Sequence, residues 1–75
     1  MNIPEASDPR WKAVAQGKLV RPWATLAMRI MMRRILADTA ADPSPANVQK
    51  CASEIHSFFT KNAALAEADL RALLS

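Results

Sequence analysis

The sequence predicts an all-α protein, a compact small helical bundle in which residues 1 to 75 form one domain. Three observations predict this class: the chain lacks alternating β-branched runs, proline and glycine stand where helices would begin and end, and apolar residues recur at intervals of three and four. At this length a single core rarely supplies more than roughly 3–5 kcal/mol. Tight helix packing or a partner is therefore expected to add stability.

A short N-terminal helix is predicted at about residues 9 to 16. Asp8 precedes Pro9, which places a capping side chain before a proline at the first helical position. Gly17 is the only glycine of the chain and stands where a left-handed residue would end this helix. The segment before it, residues 1 to 8, is predicted to be flexible.

Three main helices follow, each with its own start signal. Pro22 is expected to open the second helix, and the sequence DTAADPSP to end it. Ser44 and Pro45 cap and open the third, which has the clearest amphipathic pattern, and Asn62 is expected to cap the fourth. The predicted ranges are about residues 22 to 37, 45 to 61 and 63 to 74.

The second helix has an unusually wide apolar surface. On a helical wheel its large aliphatic side chains occupy most of the circumference. Such a surface is expected in a central helix that the others surround, or in a helix with one face in the core and another against a partner. Arg34 falls beside Trp23 on the apolar side of this wheel. We therefore expect Arg34 to pair with a carboxylate of this chain or of another chain.

Basic residues are concentrated in the N-terminal half of the chain. Residues 9 to 37 include seven arginines and lysines and no acidic residue, whereas both flanking regions are net acidic. The formal charge of the whole chain is +3. This asymmetry indicates an anionic partner, or a match between basic and acidic parts of the fold.

We hypothesise a small protein-binding module that docks on an acidic or mixed groove of a larger protein, as an accessory, inhibitory or stabilising factor. Its predicted contact residues are tryptophans, methionines and arginines, which suit adaptable or high-affinity surfaces. They are Trp11, Arg21, Trp23, Met28, Arg29, Met32 and Arg33. The competing interpretation is core packing for the tryptophans and methionines, and a solvated stripe for the arginines. A homodimer is another way to cover this surface.

Nucleic acid is the alternative partner. Basic residues interleaved with tryptophan can contact phosphates and stack on bases, so the Arg/Lys-rich N-terminal half suits a basic regulator. The sequence lacks zinc-finger spacing and a glycine-containing helix-turn-helix corner, so it predicts no means of reading bases. A helix lying on a membrane surface is disfavoured because the polar stripe of the second helix is thin.

No catalytic, cofactor or metal site is predicted, and we expect a protein that is not an enzyme. Cys51 and His56 are the only residues of their types and lie about 140° apart on the third helix, too far for a nucleophile and its base. The sequence has neither metal-ligand spacing nor a glycine-rich phosphate loop. A single cysteine favours a reducing, cytoplasmic compartment, and no apolar run approaches the ~20 residues of a membrane span.

Overall fold

A computed structural model describes residues 2 to 75, and these form four helices, which confirms the predicted all-α class. The helices are α1 (Pro9–Ala15), α2 (Leu26–Ala41), α3 (Pro45–Lys61) and α4 (Glu67–Leu74). The most extensive helix–helix interface joins α1 to α3, and α2 packs against both. The second helix is therefore not surrounded by the other three, and one of its faces remains open to solvent.

Both predicted caps of α1 are confirmed. Asp8 accepts a hydrogen bond from the backbone N–H of Arg10 at 2.9 Å, and Pro9 occupies the first helical position. At the other end Gly17 has φ +74°, and the N–H groups of Gly17 and Lys18 donate to the carbonyl oxygens of Val14 and Ala13. This paired bonding is the Schellman motif, which ends a helix at a left-handed glycine.

The second helix begins four residues later than predicted, at Leu26 instead of Pro22. Residues 22 to 25 instead form a loop, in which the N–H groups of Ala24 and Thr25 donate to the carboxylate of Asp69. Thr25 has an extended backbone with ψ 130°, and α2 starts after it, because Asp69 binds the N–H groups of the loop and holds it in this conformation. A contact between residues so far apart in sequence is invisible to local start signals.

The same helix also ends four residues later than predicted, at Ala41. Asp42 has an extended backbone with ψ 90°, as expected for a residue that precedes proline. Thr39 lies within the added turn and is buried, and its hydroxyl has three carbonyl oxygens within hydrogen-bond distance, that of Ala15 in α1 at 3.1 Å and those of Ile35 and Leu36 in α2 at 3.2 and 3.1 Å. The contact with α1 therefore lies on the part of α2 that the sequence had assigned to a loop.

The third helix has its predicted bounds, whereas the fourth is shorter than predicted. Ser44 accepts a hydrogen bond from the N–H of Asn47 and caps α3 as expected. Asn62 ends α3 and does not begin α4, because residues 63 to 66 form a turn. Ala66 is fully buried at the end of this turn, so packing rather than a capping side chain decides where α4 starts.

The core is built around Trp11, which is fully buried between α1 and α3. Its ring centroid lies 5.5 Å from that of Phe59 and 5.4 Å from that of His56, whose edge meets it almost perpendicularly. Each other helix contributes its own apolar face to this cluster. The other large buried members are Val14, Trp23, Met28, Met32, Ile35, Ile55, Leu70 and Leu73.

Part of the N-terminal segment, which the sequence predicts to be flexible, is anchored to the core. Ile3 packs against the hydrophobic cluster, and the indole N–H of Trp11 donates to the carbonyl oxygen of Glu5 at 2.8 Å. Met1, the first residue of the predicted segment, lies outside the described residues. The anchoring contacts come from the buried tryptophan, whose N–H needs a partner inside the protein.

Candidate functional site

The solvent face of α2 carries the largest exposed apolar side chains of the described chain. Leu26 and Ile30 are 65% and 64% exposed, although both are large aliphatic residues on a well-packed helix. With three further exposed positions they form one line along the helix. We call this line the outer face: Leu26, Ile30, Arg33, Ala37 and Ala40.

The spacing of the outer face is four, three, four and three residues. On an α-helix these positions fall within a sector of about 80°, with a centre about 150° from that of the buried positions of α2. The repeat of 3.5 residues is that of a helix seam which packs against a second helix. The wide apolar surface of α2 is thus two surfaces, one in the core and one in water.

Leu65 extends the apolar surface beyond α2. It lies in the turn before α4 and is 63% exposed. The hydroxyl of Thr25 donates to the carbonyl oxygen of Leu65 at 3.3 Å, which places this turn against the N-terminal end of α2. Leu65 and the N-terminal end of the outer face, at Leu26, therefore belong to the same end of the molecule.

One edge of the outer face has basic charge that no acid within residues 2 to 75 neutralises. Arg29 lies on this edge, four residues before Arg33, and both are exposed. None of the four ion pairs formed among residues 2 to 75 involves either of them. Arg29 is held in place by hydrogen bonds from Nε and Nη2 to the carbonyl oxygens of Trp23 and Ala24, at 2.9 and 3.0 Å.

On the opposite edge of the outer face, acidic residues of this chain neutralise the charge of Arg34. Arg34 pairs with Glu54 of α3 at 2.9 Å and with Asp38 of α2 at 3.5 Å. The hydrogen bond that Arg34 donates to Glu54 raises the pKa of Arg34, with a further contribution from the charge of Glu54. The expected carboxylate partner of Arg34 is thus within the chain. The prediction that Arg34 lies on the apolar side of α2 was wrong, since its side chain is 56% exposed.

Asp69 joins α4 to the loop that precedes α2. It is a buried residue of α4, 1% exposed, and its two carboxylate oxygens accept the N–H groups of Ala24 and Thr25 at 2.6 and 3.0 Å. These hydrogen bonds fix the turn that carries Leu65 and the first residues of α4 to the loop that precedes α2. A buried carboxylate is stable when hydrogen bonds of this kind replace its hydration.

The seven predicted contact residues separate into two groups. Four of them belong to the core: Trp11, Trp23, Met28 and Met32 are each at most 6% exposed. A partner cannot reach these four side chains while the fold is intact, so the competing interpretation as packing residues describes them correctly. Met28 and Met32 are buried because they lie on the core-facing side of α2, which they share with Ile35 and Thr39.

The three predicted arginines remain accessible. Arg21, Arg29 and Arg33 are all exposed. The guanidinium of Arg21 lies over Gly17, where an added Cβ would come within 2.9 Å of Arg21 Nη2. Sequence reasoning missed Leu26, Ile30 and Leu65 as surface residues. The available signal was the width of the apolar surface of α2, which predicted a second face without indicating its position.

The described residues bring no reactive side chains together. Cys51 is buried, and burial raises the pKa of its thiol, so the reactive thiolate is disfavoured. Within residues 2 to 75 no group of three or more His, Cys, Asp or Glu side chains could hold a metal ion. In the same part of the chain, none of the helices is both long enough and apolar enough to cross a membrane.

Known proteins offer no further guide to the outer face. Comparisons of the chain with protein family models, with curated proteins and with solved structures found no match.

Proposed function

We propose that this chain is a non-catalytic, cytoplasmic protein-binding module that docks its outer face on a larger protein, as an accessory, inhibitory or stabilising factor. One observation carries the proposal: Leu26, Ile30 and Leu65 are each more than 60% exposed, and the first two share a helix surface with Arg29 and Arg33, which lack an acidic partner within residues 2 to 75. An exposed apolar group of this kind, rimmed by charge, is typical of interaction sites.

The energetic argument rests on the apolar side chains. Full burial of a leucine or isoleucine side chain contributes about 1.5–3 kcal/mol relative to full exposure. The three residues already bury about a third of their surface, so a partner that covered the rest would gain roughly two thirds of that amount from each. The arginines add specificity for a partner with carboxylates at matching positions.

Nucleic acid remains the second candidate because of a separate observation. Five exposed basic residues, from Lys12 to Arg33, take part in none of the ion pairs formed among residues 2 to 75. Phosphates could neutralise them. A phosphate backbone would nevertheless leave Leu26 and Ile30 in water, so it accounts for only half of the outer face.

Site-specific photo-crosslinking in the native host tests the proposal. A photoreactive amino acid replaces Ile30 in one version of the full chain and Gln49, exposed on α3, in a matched version. We expect a discrete protein adduct from position 30 only, and its loss in Leu26→Glu. That variant places an acid in the first turn of α2, where the helix dipole favours it, so the fold should persist.

The opposite outcomes are equally clear. Equal adducts at positions 30 and 49, or none at position 30, would refute docking through the outer face. A purified chain that shifts DNA or RNA with a steep salt dependence, and does so unchanged in Ile30→Glu, would favour the nucleic-acid candidate.

A further inference from the structure

The central residue of the outer face limits what can cover it. Arg33 is the third of the five seam positions, with Leu26 and Ile30 on one side and Ala37 and Ala40 on the other. It is exposed and takes part in none of the ion pairs formed among residues 2 to 75. A polar residue at one position of a helix seam selects the partner and its register, because it must be matched when the seam is covered.

From this pattern we infer that the occupant is an amphipathic helix of the partner protein with an acidic residue at the centre of its own apolar seam. The inference rests on the proposed function and names the chemistry of the partner. The carboxylate would meet Arg33, where a charge-assisted and often bidentate hydrogen bond can form. A second acidic residue, on the side of the partner helix that lies over Arg29, would pair with that arginine.

A second copy of this chain, paired along the full length of the outer face, does not fit the same surface. If two outer faces paired in parallel and in register, every residue would face its own copy. If they paired antiparallel over their full length, Leu26 would face Ala40 and Arg33 would again face Arg33. Both arrangements bring two arginines together in an interface with no acid beside them, and like charges in contact oppose association. Charge complementarity therefore favours a different, acidic chain.

The sizes of the side chains add a second condition. The outer face is bulky at its N-terminal half, with Leu26 and Ile30, and shallow at its C-terminal half, with Ala37 and Ala40. A helix that packs along it closely needs small residues opposite the first pair and large residues opposite the second. The partner helix is thus expected to carry, in order, small residues opposite Leu26 and Ile30, an acidic residue opposite Arg33, and large residues opposite the two alanines.

Synthetic peptides test this inference directly. The probes are stapled helical peptides of about 20 residues with that seam order, made in both chain directions, with Glu at the central position. Matched peptides carry Lys instead of Glu. Binding to the purified full chain is measured by fluorescence anisotropy. We expect a Glu peptide in one direction to bind, and its Lys counterpart to bind about tenfold or more weakly.

Charge reversal in the protein provides the decisive control. In Arg33→Glu the preference should invert, so that the Lys peptide binds better than the Glu peptide. Lys50→Glu, on the solvent face of α3, changes the net charge equally and should leave the preference unchanged. The inference is overturned if no Glu peptide binds, if Glu and Lys peptides bind alike, or if Lys50→Glu has the same effect as Arg33→Glu.

Two further results separate this inference from the function on which it rests. A protein adduct at position 30 together with failure of the peptides would leave the docking function standing and refute the acidic helix. Sedimentation velocity is expected to give a monomer, whereas a dimer that dissociates in Ile30→Glu would replace the acidic helix with a second copy of the chain.

Discussion

Replacement of Asp69 by Asn tests how the loop before α2 and the start of α4 are held together. The carboxylate accepts two backbone N–H groups, from Ala24 at 2.6 Å and from Thr25 at 3.0 Å. An asparagine side chain has nearly the same shape but only one accepting oxygen, and its amide N–H₂ would face the second donor. Asp69→Asn therefore loses one of the two hydrogen bonds and the negative charge that strengthens the other.

The expected loss is large for a domain of this size. A hydrogen bond to a charged group contributes about 1.5–3 kcal/mol, so the free energy of unfolding should fall by about that amount. In a domain of 60–100 residues, 1 kcal/mol corresponds to about 4–8 °C in Tm, which gives a decrease of about 6–24 °C. A chain of this length has only a few kcal/mol in total, so the variant should unfold at markedly lower denaturant concentration.

The assay is thermal and urea denaturation followed by far-ultraviolet circular dichroism. Glu67→Gln is the control: it also removes an acid from the first turn of α4, but from an exposed ion pair with Arg71. Such a pair contributes about 0.3–0.5 kcal/mol. If Asp69→Asn and Glu67→Gln lowered stability by the same small amount, the buried carboxylate would not be what fixes α4 to α2.

Three other substitutions have expected outcomes. Gly17→Ala should lower the free energy of unfolding by at least about 1–2 kcal/mol in urea denaturation, because φ is +74° and the new Cβ would crowd two side chains; an unchanged value would contradict this. Hydrogen bonds from Arg10 lower the pKa of Asp8 from 3.8 to about 2, so the charged form stabilises the fold above about pH 4 and this contribution is lost as the pH falls towards 2. Stability measured against pH should therefore fall more steeply in the native chain than in Asp8→Asn, and parallel profiles would refute it. Thr39→Val removes a buried hydroxyl that lies within 3.1–3.2 Å of the carbonyl oxygens of Ala15, Ile35 and Leu36, and should cost about 0.5–1.5 kcal/mol in the same denaturation assay; an unchanged stability would contradict this.

The elements predicted most accurately were those with signals close together in the sequence. Asp8, Pro9 and Gly17 locate α1, and Ser44 and Pro45 locate the start of α3. Each cap acts within about four residues, because it satisfies the backbone groups that the helix end leaves free. The prediction therefore needed no knowledge of the rest of the fold.

Helix boundaries set by distant contacts could not be predicted in this way. The start of α2 depends on the hydrogen bonds that Ala24 and Thr25 donate to Asp69, 45 and 44 residues away in sequence. The last turn of α2 is held to α1 through Thr39, and α4 begins where Ala66 enters the core. Local signals placed these boundaries four residues away, because tertiary contacts override weak local preferences.

The candidate site was only partly predicted. The arginines could be assigned to the surface from their chemistry, and Arg29 and Arg33 do lie there. Methionine and tryptophan suit both a core and an interface, so sequence alone could not place Met28 or Trp23. Leu26 and Ile30, the exposed residues on which the proposed docking surface depends, are of a type that usually identifies a core position.

By itself, the sequence determined an all-α fold, the positions of α1 and α3, a basic N-terminal half and a second helix with more apolar surface than one neighbour can cover. These follow from residue type and short-range spacing. Only the tertiary structure decided which side of α2 meets the core, which carboxylates neutralise Arg34 and which arginines lack an acidic partner within residues 2 to 75. Rotation of a helix about its axis depends on what packs against it. A helix with apolar residues on nearly every side does not specify that rotation, so the neighbouring helices choose it.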